Sequence, residues 1–106
     1  MDFNEYQGAA QKTAVYPSEE GVEYTALGLA SEAGEVAGVV KKFIRGDQPS
    51  DTTVELLFKE LGDVLWYVSQ IASEWELDLD EIAIANIEKL RSRKKRGVLK
   101  GSGDNR

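Results

Sequence analysis

Apolar positions along this chain recur at intervals of three and four rather than two, so the pattern predicts helices and no strands. A first helix is predicted over about Asp2 to Ala14. After the Tyr16-Pro17 turn, Ser18 is placed to cap a second helix, with Glu19 and Glu20 favourable in its first turn. That helix runs through Leu27, Leu29, Ala33, Val36, Val40 and Phe43. Lys41, Lys42, Arg45 and then Gly46 form its stop signal. Residues 46–51 read as a loop around Pro49. A third helix is expected from about Thr52 to Leu77, and a fourth from Asp80, as its N-cap, to about Arg96. The fold class is therefore all-α, a bundle of four main helices over residues 1–96, with a glycine-rich basic tail over 97–106. Helices this long in a chain of 106 residues leave a small core, so oligomerisation with copies of itself, as a dimer or tetramer, is expected to complete the bundle.

Composition narrows the chemistry. No apolar run approaches the roughly 18–20 residues of a membrane span, and the acidic start is no secretory signal, so a cytoplasmic location away from membranes is expected. Cysteine is absent, which removes disulfides, thiol catalysis and thiolate metal sites. Histidine is absent too, excluding a Ser-His-Asp triad and histidine-based zinc or di-iron sites. Any acid–base or metal chemistry falls to Asp, Glu, Lys, Tyr or water. Charge is unevenly spread: residues 1–85 carry 17 acids and 5 bases (17 − 5, net −12), whereas residues 86–106 carry 2 acids and 8 bases (8 − 2, net +6). An acidic body argues against binding a nucleic-acid polymer. Joined to a basic end, it suits a polyphosphate held through a cation; a solvated acidic surface with a frayed basic end is the simpler reading.

Two acid pairs stand out. Glu32-Ala33-Gly34-Glu35 lies on the second predicted helix and Glu60-Leu61-Gly62-Asp63 on the third, with 24 residues between them and each enclosing a glycine. Residues three apart share a helix face. With Leu29 at zero and about 100° per residue, Glu32 falls near −60° and Glu35 near −120°, within and at the edge of the apolar arc. On the third helix Glu60, Asp63 and Tyr67 fall within or beside the stripe of Leu57, Leu61, Val64, Val68, Ile71 and Trp75. The acids are thus expected away from solvent, where carboxylates cost several kcal/mol unless paired, protonated or metal-bound. Lys59 is the one base on that helix, so a hard divalent cation with oxygen ligands, Mg²⁺ above all, answers the repulsion. Gly28, Gly34, Gly38 and Gly62 each cost about 1 kcal/mol against alanine, which points to close packing, assigned to Gly28 and Gly38, or to access beside the acids.

At the basic end, Asn86, Lys89 and Arg93 share one face of the fourth helix and offer an amide, a point charge and a planar fork to phosphate oxygens. A solvated last turn complementing the helix dipole explains the same charges equally well. The tail lacks the G-x-x-x-x-G-K-[ST] order, so a P-loop is rejected.

The segment Leu27-Gly28-Leu29-Ala30-Ser31-Glu32-Ala33-Gly34-Glu35-Val36-Ala37, followed by Glu60-Leu61-Gly62-Asp63-Val64-Leu65-Trp66-Tyr67, resembles the MazG-like all-α nucleoside triphosphate pyrophosphohydrolases of short phage and bacterial type. Asn86-Ile87-Glu88-Lys89-Leu90 and Arg93 are similar to that family's phosphate-facing segment. The tail departs from it, since many members follow the arginine with an aromatic residue and a proline. The resemblance makes residues 1–96 a catalytic domain that converts a (d)NTP and water to a (d)NMP and pyrophosphate with Mg²⁺, for which Mn²⁺ can substitute. It implies Glu32, Glu35, Glu60 and Asp63 as metal ligands, with Glu32 or Glu35 orienting or deprotonating the water. Lys89, Arg93 and Asn86 would take the phosphates, Tyr67 would border the base, and Tyr16 and Gln7 are further candidates on the nucleoside side. Two rivals stay open: a non-enzymatic helical interaction module, and the same scaffold acting on another phosphorylated substrate.

Overall fold

A computed structural model describes all of residues 1–106. Four helices follow in order, α1 (Phe3–Gln11), α2 (Gly21–Ile44), α3 (Ser50–Glu74) and α4 (Leu79–Lys95), with a 3-10 turn at Ser18–Glu20 and no strands. The all-α expectation holds. No helix is long and apolar enough to cross a membrane.

Helix ends differ from expectation in instructive ways. Ser18 does not cap α2: Ser18–Glu20 winds as the tighter 3-10 turn, and α2 begins behind Glu20 with no side-chain cap. Asp78, not Asp80, caps α4, accepting from the Glu81 amide at 3.0 Å. Asp80 instead accepts from the Phe3 amide at 3.2 Å and so ties α4 to α1. At α1 a capping box pairs Asp2 with Glu5. The helix stops at Gln11, three residues short of expectation, where Thr13 turns its hydroxyl back to the Ala10 carbonyl at 2.7 Å.

The body is a hairpin of α2 against α3, and its register is set by two glycines. A Cβ on Gly21 would strike the Glu74 carboxylate, and one on Gly28 would strike the Tyr67 ring. Facing positions therefore advance along α2 as they retreat along α3, the mark of antiparallel packing. The side of α2 turned to α3 carries Gly21, Thr25, Gly28, Glu32 and Val39, with Gly21, Thr25 and Val39 buried. That stripe is rotated from the Leu29-centred one predicted by the wheel, because small residues let the two backbones approach closely. Leu27, Val40 and Phe43 are left outside, 72%, 38% and 43% exposed. Gly38, expected to mark close packing, has open space where a side chain would go.

α1 closes one end. Gln7 donates to Ser73 Oγ (3.2 Å) and the Leu77 carbonyl (2.9 Å) and accepts from the Leu79 amide (2.9 Å), so its amide is spent on the α3–α4 turn. Tyr16 locks the α1–α2 connection onto α3: its hydroxyl donates to Glu74 at 2.7 Å and accepts from Gln70 at 3.0 Å. Gln70 is 1% exposed. Tyr16→Phe strands its amide and is expected to cost about 1–3 kcal/mol; urea unfolding midpoints check it.

The fold is open. Its radius of gyration is 16.6 Å, against about 13 Å for a compact chain of this length. Its accessible surface is 7768 Å², against about 5,900 Å² for a monomer of this mass. Phe58 (81%), Ile44 (80%), Val54 (65%), Trp75 (61%) and Leu61 (55%) account for part of the difference.

Candidate functional site

Carried along the hairpin, the glycine register brings Glu32 level with Asp63 and Glu35 level with Glu60. One carboxylate oxygen from each of Glu32, Glu60 and Asp63 lies within 4.8 Å of the others. Glu32 and Glu60 are half-buried and Asp63 is exposed. Three of the four expected ligands are thus brought together. Glu35, one turn along from Glu32, is exposed and stands outside the group of three. The expectation that all four acids avoid solvent is corrected for Glu35 and Asp63: the apolar stripe beside them is itself open in the single chain, so it gives no shelter.

Electrostatics mark Glu32 as the group under most pressure. Loss of water around it raises its pKa, and the charges of Asp63, Glu60 and Glu35 push the same way, as does a hydrogen bond with Glu60. The folded chain therefore holds this proton more tightly than the unfolded chain. Its contribution to stability is complete below the unfolded pKa and is lost as pH rises through the folded one. The chain has three ion pairs, Arg45–Asp47, Lys89–Asp104 and Arg93–Asp104, and none reaches the cluster. An oxygen-only set of carboxylates with no internal base fits a hard divalent cation, and the absence of nitrogen and sulfur donors disfavours zinc.

An aromatic wall borders the acids. Tyr16 stacks on Tyr24 (centroids 4.9 Å apart), Tyr24 tilts against Tyr67 (6.4 Å), and Trp66 meets Tyr67 edge-on (5.0 Å). Burial first, then the Tyr24 phenol, then the charges of Glu32 and Asp63 raise the pKa of the Tyr67 hydroxyl, which therefore stays protonated beside the acids. Tyr6 is likewise raised, by burial and then by Asp63. Tyr24 and Trp66 were not singled out from the sequence. A signal existed for Tyr24: it stands four and eight residues before Gly28 and Glu32, on the same stripe of α2.

The basic candidates lie elsewhere. α4 packs on α1 rather than on the hairpin, and Lys89 and Arg93 pair with Asp104 rather than with any of the four acids. Arg93 is 4% exposed and Asn86 is exposed. In a single chain, therefore, neither base is paired with an acid of the expected site.

Comparison with known proteins bears on this arrangement. No solved structure matches the chain. The "Gene 37 protein" of Mycobacterium phage L5 is 47% identical over 115 aligned positions, covering all of both chains. The model of the MazG nucleotide pyrophosphohydrolase domain matches residues 20–98, which span the hairpin, its acids and all of α4. With both acid pairs, the two long helices and the basic helix inside that match, the chain belongs to the MazG nucleotide pyrophosphohydrolase domain family.

Proposed function

We propose that this protein is a Mg²⁺-dependent pyrophosphohydrolase that converts a (d)NTP and water to a (d)NMP and pyrophosphate. The observation that carries this reading is the triad Glu32, Glu60 and Asp63, converging within 4.8 Å without a basic partner. These three would hold the cation, with Glu35 standing one turn away; Mn²⁺ satisfies the same donor set. Bound there, Mg²⁺ supplies charge neutralisation at the phosphate oxygens and acidifies water. Glu35 is exposed and outside the triad, so it is free to orient or deprotonate the attacking water. Lys89 and Arg93, with Asn86 on the same face, bind the β- and γ-phosphates and ease departure of pyrophosphate. Tyr67 offers a ring face to the base, with Tyr24 and Trp66 holding it in place.

In this reading residues 1–96 carry the catalysis, and the protein acts as a homo-oligomer. Surface in excess of a compact monomer, together with exposed Leu61 next to Glu60 in the chain, supports a second copy closing the site. A monomer by light scattering at micromolar concentration would remove that part. The reaction itself is tested by incubating the protein with Mg²⁺ and a panel of NTPs, dNTPs and nucleoside diphosphates. Pyrophosphate with a nucleoside monophosphate is expected. Orthophosphate alone would transfer the scaffold to another phosphorylated substrate, and no turnover at all would favour a non-enzymatic interaction module.

A further inference from the structure

The chain supplies its own anion to the two cations assigned to the phosphates. Residues 97–106 double back on α4, a path opened by Gly97, Gly101 and Gly103, whose φ angles are +72°, +128° and +88°. The fold-back is stapled at both ends. Arg106 donates to the carbonyls of Val98 (3.0 Å) and Leu99 (3.1 Å), and Arg96 donates to the Arg106 main-chain oxygen (2.9 Å). At its centre Arg93 donates to the Asp104 carbonyl at 2.8 Å. The Asp104 carboxylate lies 3.5 Å from both Arg93 and Lys89. Arg93 has only 5% of its side chain accessible, and its buried Nε–H finds no acceptor, so the guanidinium is covered without being fully satisfied. The Asp104 carboxyl is held below its usual range, chiefly by Lys89 and then by Arg93.

We propose that residues 97–106 form an autoinhibitory latch, in which Asp104 occupies the cationic position of Lys89 and Arg93 until a polyphosphate displaces it. This rests on the assignment of those two residues to the phosphates. The latch is built to yield: Asp104 is 87% exposed and its partner Lys89 41%, and an ion pair between groups this open is weak. A ligand bearing several phosphate charges, by contrast, can engage both cations together and supply the acceptor that Arg93 Nε lacks.

Calorimetric binding of inorganic tripolyphosphate with Mg²⁺ tests the latch in the full chain, using Asp104→Asn and Arg106→Ala. Both variants are expected to bind about twofold to fivefold more tightly than the unaltered protein, the range open to exposed charge contacts. Arg106→Ala is the discriminating variant, because it removes a positive charge. Simple long-range electrostatics predicts weaker binding there, while an opened latch predicts tighter binding. Unchanged or weaker binding by Arg106→Ala overturns the latch, as does failure of every form to bind. NTP turnover assayed in parallel separates the two readings. Turnover without tighter binding removes the latch alone; tighter binding without turnover keeps the latch and removes the pyrophosphohydrolase.

Discussion

Asp63→Asn is expected to lower Mg²⁺-dependent pyrophosphate release by at least about 100-fold, beyond what loss of a supporting contact to a metal ligand costs. Asp63 is the exposed member of the triad, so its amide analogue leaves the packing of α2 on α3 intact. Only a charge is lost, and with it a proposed metal ligand. Glu60→Gln acts the same way from a half-buried position. Glu35→Gln separates roles: with the triad untouched, it should depress kcat while leaving Mg²⁺ binding close to unaltered. Initial rates across a Mg²⁺ titration check all three, and near-normal release from Asp63→Asn sinks the assignment.

Gly28→Ala carries the second large effect. A methyl at this position overlaps the Tyr67 ring, which is no free end: Trp66 meets it edge-on at 5.0 Å and Tyr24 leans on it at 6.4 Å. Relief requires the hairpin to spread or the aromatic wall to shift, at about 1–3 kcal/mol. Against that stands a gain of about 1 kcal/mol in helix propensity, which the clash outweighs. The overlap involves three ring atoms, and the account therefore predicts a lower thermal midpoint together with weaker nucleotide binding. Gly34→Ala, where nothing stands in the way, should instead raise the midpoint. Differential scanning of the two variants side by side distinguishes packing from propensity.

The hairpin was legible because both acid pairs are equidistant from the turn. Glu32 and Asp63 lie symmetrically about the middle of the Asp47-Gln48 step, so two straight helices joined there must bring them level. Pro49 and Gly46 located that turn from sequence alone. The rotational setting of α2 was less accessible. A hydropathy wheel ranks Leu and Phe as core, yet in the hairpin Gly21, Thr25 and Gly28 win the inward face, because close backbone approach matters more than side-chain bulk there. The large apolar residues then stand outside, on surfaces that a single chain does not cover. For the same reason the acids came out less sheltered than the wheel implied. Nor could pattern foresee that Lys89 and Arg93 would meet Asp104, since a contact formed by a glycine-rich fold-back leaves no periodic trace.

The central claim is that the carboxylates of α2 and α3 converge to hold a divalent cation, and thermal unfolding in the absence of nucleotide reads it directly. Starting from chelator-treated protein, added Mg²⁺ should raise the stability progressively, by about 2.7 kcal/mol once it exceeds its dissociation constant a hundredfold. Asp63→Asn should lose most of that response. The same unfolding midpoint with and without Mg²⁺, up to millimolar concentration, would contradict the account.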